Sequence, residues 1–202
     1  MDKDVKYRTV IGKSEGVYKE KGSKFLAFLH PVSSEKEVKA VLENYRSEFH
    51  DARHHCYAFR IGIQDIIERS NDDGEPSGTA GKPILGQLHS FDITNAMVVV
   101  IRYFGGTKLG VSGLINAYKT AAKEALLKAQ IVEKELKNVF RIFCDYNEMG
   151  QVMGLLKQQK IDYSEVKMLE NVSMKISLKL SQTKTIIENL SQAFKTIQIR
   201  KI

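Results

Sequence analysis

Residues 96–110, Ala-Met-Val-Val-Val-Ile-Arg-Tyr-Phe-Gly-Gly-Thr-Lys-Leu-Gly, decide how the first part of this chain is read. The unbroken apolar run Ala96–Ile101 predicts a buried strand over Asn95–Tyr103, and the glycines after it end that strand in a turn. From Ser112 to Gln130 the pattern becomes helical. Ala117, Ala121 and Ala125 share one stripe there, small enough to let the helix axis approach a sheet closely. A glycine-rich turn at a helix start is a place where backbone N–H groups can meet an anion. Gly105, Gly106 and Gly110 allow conformations and approaches that a Cβ would block, Thr107 offers a hydroxyl, and Arg102 and Lys108 add positive charge. The string is not a Walker A loop, which needs Gly-x-x-x-x-Gly-Lys-Ser/Thr. The same residues also suit a plain tight turn that lets helix and strand pack closely.

A second unusual string, Ser70-Asn-Asp-Asp-Gly-Glu-Pro-Ser-Gly-Thr-Ala-Gly-Lys-Pro83, lies between a strand-like segment and a short helical one. Asp72, Asp73 and Glu75 crowd carboxylates that can hold a hard cation or act in acid–base chemistry. Gly74, Pro76 and Gly78 equally mark a structural loop. Ser77 and Thr79 can contact a phosphate or cap a helix, and Lys82 stands beside the glycines at the helix start. Were both strings to meet at one sheet end, Arg102, Lys82 and Lys108 would form a positive pocket rimmed by Asp72, Asp73 and Glu75, suited to a phosphate-bearing ligand.

DDGEPSGTAGKPIL (72–85) followed by VVVIRYFGGTKLG (98–110), with RHHCYAFRIG (53–62) upstream, resembles the signature of the IMPACT/YigZ family. The resemblance implies an N-terminal domain folded like the second domain of a small-subunit ribosomal protein and a C-terminal domain like those of elongation factor G. Eukaryotic relatives are translation regulators that bind a ribosome-associated activator of a stress kinase. Their partner-binding segment has no counterpart here.

The 202 residues, 43% hydrophobic and 27% charged, have ordinary globular composition. No run reaches the ~20 apolar residues that span a bilayer, and Met1–Lys6 lacks the apolar core of a signal peptide, so no membrane association and a cytoplasmic location are expected. The formal charge of +7 is concentrated late: from Lys137 onward there are 11 Lys+Arg against 6 Asp+Glu. That balance suits RNA, or a solvated surface of scattered lysines.

Along the chain, strands are expected over 5–11, 14–19, 24–31, 54–62, 66–69 and 95–103, with helices over 34–49, 79–88 and 112–130. Ser33 or Ser34 can cap the first helix, Glu37 standing at capping-box spacing from Ser34. After the charged stretch 131–136, strand 137–146, helix 147–159, strands 162–169 and 172–180, helix 182–194 and strand 196–201 give βαββαβ, the ferredoxin-like order. The fold class is α+β with two domains: residues 1–134, a ribosomal-protein-like sheet with helices on one face, and residues 135–202, ferredoxin-like. In strand 172–180 the apolar set Val172, Met174, Ile176, Leu178 alternates with Ser173, Lys175, Ser177 and Lys179. One sheet face is therefore wet or partner-facing, and Lys175 and Lys179 are its candidate RNA or partner contacts, although a solvent-exposed antiparallel face has the same sequence pattern.

His54 and Cys56 share a strand face, but structural zinc needs more ligands than these and the distant Cys144 supply, so packing roles, no metal and no disulfide are expected. No cofactor is expected. The functional expectation is a non-enzymatic, translation-associated protein that binds RNA, the ribosome or a ribosome-bound protein. The alternative is an enzyme acting on a phosphorylated or nucleotide substrate at the two glycine-rich strings.

Overall fold

The computed structural model describes residues 3–202 and divides into two compact units, Tyr7–Lys134 and Glu135–Ile202, the second joined by the residues leading up to Lys6. Residues 1 and 2, on which part of the leader reading falls, lie outside the described residues. Among the described residues no helix is long and apolar enough to cross a membrane.

The first unit runs β1 (Lys6–Ile11), β2 (Ser14–Glu20), β3 (Ser23–Pro31), α1 (Glu35–Glu48), β4 (His54–Ile61), β5 (Ile67–Asn71), α2 (Gly81–Ser90), β6 (Ala96–Tyr103), α3 (Gly110–Leu127) and β7 (Gln130–Glu135). Its main sheet has the order β2-β3-β6-β4-β5 with every pair antiparallel, and β1 pairs with β7 in a separate ribbon.

Helices cover both faces of this sheet, which corrects the one-face expectation while keeping the α+β class. Ala96, Val98 and Val100 of β6 pack with α2 and α3, whereas Met97, Val99 and Ile101 pack with α1 through Val38, Leu42 and Tyr45. A central strand enclosed on both sides needs apolar residues at every position, and that is why Ala96–Ile101 carries no alternation. On the α3 side the helix lies almost on the sheet backbone. A Cβ added to Gly16 of β2 would fall 2.4 Å from Ala125 N and 2.6 Å from Ala121 O, so Gly16 and the alanine stripe together set that distance.

The start of α1 follows the expected chemistry with one shift. Ser34 Oγ accepts from Glu37 N–H, while the Glu37 carboxylate accepts from the backbone and hydroxyl of Ser33 rather than from Ser34. The helix expected to reach Gln130 stops at Leu127, and Gln130–Glu135 forms β7 instead. Half-exposed in a two-stranded ribbon, β7 keeps Glu133, Lys134 and Glu135, and those charges conceal its strand character.

The second unit runs β8 (Lys137–Cys144), α4 (Tyr146–Gln158), β9 (Tyr163–Met168), β10 (Val172–Lys179), α5 (Leu180–Ala193) and β11 (Gln198–Lys201). Its sheet order is β11-β8-β10-β9, antiparallel throughout, which is the expected βαββαβ arrangement. Both helices lie on one face, where Phe140, Ile142, Met174 and Ile176 pack against Val152, Leu156, Ile186 and Leu190. The opposite face carries no helix of this unit. Cys56 and Cys144 are free, buried thiols in different units.

Candidate functional site

Three segments of the first unit converge at one end of its main sheet: the loop after β5, the turn after β6, and residues 51–54 leading into β4. Antiparallel pairing dictates this, because Arg102 near the end of β6 lies opposite His54 at the start of β4, and β5 returns alongside β4 toward the same end. Together they wall a cleft of about 840 Å³. Glu75 and Pro76 come from the first glycine string, Arg102, Phe104 and Lys108 from the second.

A buried polar network ties the two strings together. Arg102 Nη1 donates to Glu75 Oε1 at 2.6 Å, and the same oxygen accepts from Tyr118 Oη of α3 at 2.8 Å. The Arg102 and Glu75 side chains are only 7% and 4% exposed, so each charge depends on the other for solvation. The guanidinium also sits 5.5 Å from the ring centres of both Phe25 and Phe104. Cys56 Sγ lies 3.3 Å from Tyr118 Oη and 3.0 Å from the Asp72 carbonyl. Burial pushes the Cys56 thiol and the Tyr118 hydroxyl well up, so both stay protonated donors.

Asp72 reverses the expectation for the start of α2. Its Oδ1 accepts from Ala80 N–H and Gly81 N–H at 2.9 and 2.8 Å, and its Oδ2 from Gly78 N–H at 2.8 Å. Burial alone would raise its pKa, but these three donors, with Lys82 nearby, hold the carboxyl below the usual range. The anion preference of this helix start is thus satisfied from within the chain. Asp73 is a second brace: it accepts from His55 N–H at 2.7 Å and from Arg46 at 3.1 Å, and its carbonyl lies 2.9 Å from His54 Nδ1.

The remaining residues of the first string divide between turn and surface. Thr79 is buried, its hydroxyl donating to the Pro76 carbonyl at 2.7 Å, while Ser77 and Lys82 are exposed. Gly74 and Gly78 have φ of +86° and +78°, as turns require. In the second string Gly105 serves close packing. A Cβ there would lie 1.9 Å from Gly22 C in the β2–β3 turn, and its N–H donates to Ser23 Oγ. Gly106, Thr107 and Lys108 are exposed. Of the predicted site residues, then, Glu75, Arg102 and Lys108 line the cleft, whereas Asp72, Asp73 and Thr79 hold its walls.

Reading the sequence missed four residues of this wall, Asp51, Arg53, Leu109 and Val111, and the buried Tyr118 that braces Glu75 behind it. Asp51 accepts from Tyr103 Oη at 2.8 Å, which raises the Tyr103 pKa. Tyr118 carried a signal, being the one aromatic residue of α3 and standing next to the alanine stripe, where a buried hydroxyl requires a partner. Asp51 and Arg53 sit in loop sequence with no such signal. The arrangement offers binding chemistry, with cations and apolar walls around an open volume, while the Thr79, Tyr103 and Tyr118 hydroxyls and the Cys56 thiol are engaged in holding the fold. Among the described residues no group of three or more His, Cys, Asp or Glu is placed to hold a metal ion.

On the helix-free face of the second unit, Arg200, Arg141 and Lys175 lie in register across β11, β8 and β10. Phe143 joins them, with Arg200 5.0 Å above its ring. Glu165 bridges Arg141 at 2.6 Å and Lys175 at 3.0 Å, and these contacts, Lys175 foremost, hold its carboxyl below the usual range. Lys179 pairs with Glu135 at 3.0 Å. The two lysines expected on this face are therefore present but neutralised in part, and Arg141, Phe143 and Arg200 extend the patch.

The family model for the Impact N-terminal domain matches residues 21–126. IMPACT family member YvyE of Bacillus subtilis is 35% identical over 84% of this chain and 78% of its own length, and YigZ of Escherichia coli is 37% identical over 68% and 69%. A solved crystal structure of a hypothetical protein, 28% identical, superposes over 98% of both chains with a TM-score of 0.72. With that model matching more than half of the residues, and relatives of this identity covered over most of their length, the chain belongs to the IMPACT family.

Proposed function

We propose that the protein is a cytoplasmic, translation-associated regulator that docks on ribosomal RNA through the open sheet face of its second unit. The observation that supports this reading is the row Arg200–Arg141–Lys175, presented with Phe143 on a sheet face that α4 and α5 leave uncovered. Cations spaced across adjacent strands suit a phosphate backbone, and an aromatic ring among them suits an unstacked base. The translational role rests on family membership, since the family's eukaryotic members regulate translation.

Ribosome co-sedimentation across a salt series tests the proposal. Neutralising about four phosphates gives a loss of roughly 100-fold in affinity between 50 and 200 mM salt. The triple substitution Arg141→Ala, Lys175→Ala, Arg200→Ala should abolish most of the association. Glu165→Gln should strengthen it several-fold, because it removes the carboxylate that competes with phosphate for Arg141 and Lys175. Salt-independent association, or association untouched by the triple substitution, would show that another surface does the docking.

A further inference from the structure

The first unit carries a charged feature that the docking face leaves unused. Strands β2 and β3 form a hairpin closed by the two-residue turn Lys21-Gly22, with Glu20 paired to Ser23 and Lys19 paired directly to Lys24. Two local preferences are broken there. Like charges directly opposite each other on neighbouring strands repel. In the turn both central residues have positive φ, +46° at Lys21 and +78° at Gly22, a conformation that favours Asn, Asp or Gly over lysine. All three lysines are exposed, and none forms an ion pair among the described residues. Carboxylates close by in the sheet are held by hydroxyls instead. Glu20, between Lys19 and Lys21, accepts from Tyr18 Oη at 3.1 Å, and Asp51 accepts from Tyr103, the register partner of Lys24, at 2.8 Å.

The hairpin tip is braced rather than loose. A Cβ added to Gly22 would fall 2.8 Å from the Gly105 carbonyl oxygen, and the Gly105 N–H donates to Oγ of the buried Ser23 at 3.1 Å. The three cations therefore stand on a fixed backbone, which lowers the ordering cost of binding. Lys19, Lys24 and the half-buried Tyr103 lie in register across β2, β3 and β6, so all three share one side of the sheet. Phe25, next after Lys24, points to the opposite side and packs with α3. A chain that holds like charges together against its own local preferences, with no partner inside the fold, has its compensating gain outside it.

We infer that the tip of the β2–β3 hairpin is a second RNA-docking surface, taking the phosphate backbone of a single strand on Lys19, Lys21 and Lys24. A phosphate chain offers an anion at every nucleotide and no cation of its own, which suits a row of one sign better than a protein surface of mixed charge. The Tyr103 ring at the end of the row gives a base a stacking face. The charge argument stands without the second unit, while the choice of RNA over another polyanion rests on the translational role proposed above.

Fluorescence anisotropy of the full chain with a labelled polyuridylate of about 20 nucleotides, over a salt series, is the test. The triple substitution Lys19→Thr, Lys21→Asn, Lys24→Thr should weaken binding about ten-fold or more at roughly 50 mM salt, and should reduce the slope of log affinity against log salt by about 2, three contacts at about 0.7 each. Its thermal midpoint should equal or exceed that of the parent, because the opposed charges are gone and the turn has a favoured residue. A lowered midpoint would mark the lysines as structural and overturn the inference. The docking-face substitution Arg141→Ala, Lys175→Ala, Arg200→Ala separates the two proposals. Binding lost with the hairpin variant alone leaves the hairpin standing without the docking face, and binding lost with the docking-face variant alone overturns the hairpin. Displacement of the RNA by polyglutamate of matched charge would assign the lysines to an acidic protein, and that outcome, or absence of RNA binding at low salt, also overturns the inference.

Discussion

Removing the Arg102 charge with Arg102→Met should destabilise the first unit far more than losing any surface cation. The substitution leaves Glu75, 4% exposed, to rely on the Tyr118 hydroxyl in a site where the 2.6 Å contact to Arg102 had compensated its desolvation. Breaking a buried pair from one side costs about 3–5 kcal/mol, whereas an exposed pair costs at most about 1. With an m-value of roughly 2 kcal/mol/M, the urea midpoint of this unit should fall by about 1.5–2.5 M. The double variant Glu75→Gln/Arg102→Met is the sharper measurement. The neutral amide introduced by Glu75→Gln can still accept from Tyr118, and the methionine fits between Phe25 and Phe104, so the double variant should recover roughly 2 kcal/mol of the single loss. Amide exchange in β6 and α3 should be followed during unfolding, because two units can melt separately and a whole-chain signal would mix them. A single-variant cost below about 1 kcal/mol, or strictly additive losses in the double, would refute the claim that these charges depend on one another.

Other expectations follow from single contacts. Gly16→Ala should cost about 3 kcal/mol or more, read by thermal unfolding, because its Cβ meets backbone atoms of α3 at 2.4 and 2.6 Å and backbone cannot swing aside. Asp72→Ala should cost about 2–3 kcal/mol and speed amide exchange at Gly78, Ala80 and Gly81, whose donors lose their acceptor; unchanged exchange there would contradict the assignment. His30, buried beside Tyr45 with Nε2 2.5 Å from the hydroxyl, has its pKa lowered from 6.5 to about 4, chiefly by burial. A histidine neutral in the fold but protonated when unfolded contributes stability above pH 6.5, and this is lost as pH falls toward 4, by about 3 kcal/mol in all. An NMR titration placing His30 near 6.5 in the folded protein would remove that pH dependence.

The fold is readable where one local pattern has one structural cause. The apolar run 96–101 reads as a buried strand, and in the second unit the alternation of Val172–Leu178 separates a packed face from an open one, as β10 shows. What cannot be read is which faces helices cover in the first unit. Val38, Leu42 and Tyr45 of α1 form the same kind of stripe as Ala117 and Ala121 of α3, and nothing in either stripe says which side of the sheet it meets. That is settled by chain connection and by the alternate residues of β6, which are all apolar and therefore silent about direction. β7 escapes for the opposite reason, since a strand in an exposed ribbon needs no apolar face and so leaves no period-two pattern.

The two glycine strings are alike in sequence and opposite in electrostatics, and the difference lies in one carboxylate. Both combine glycine, a lysine and a helix start, which on residue type alone makes both look like anion sites. At α2 the chain supplies its own anion, because Asp72, eight and nine residues before the donors of Ala80 and Gly81, is folded back onto them by the turn through Gly74 and Gly78. Ahead of α3 the turn is made by Phe104, Gly105 and Gly106, with Gly105 drawn against Gly22, and no side chain caps the helix. Spacing in sequence cannot report a carboxylate that reaches its donors only through the fold. The presence of glycine and lysine at a helix start therefore establishes a capacity for anions, and whether that capacity is left for a ligand depends on what the preceding loop turns inward. In this protein the first loop turns Asp72 inward and closes its helix start, while the second turns Phe104 outward and leaves its helix start open.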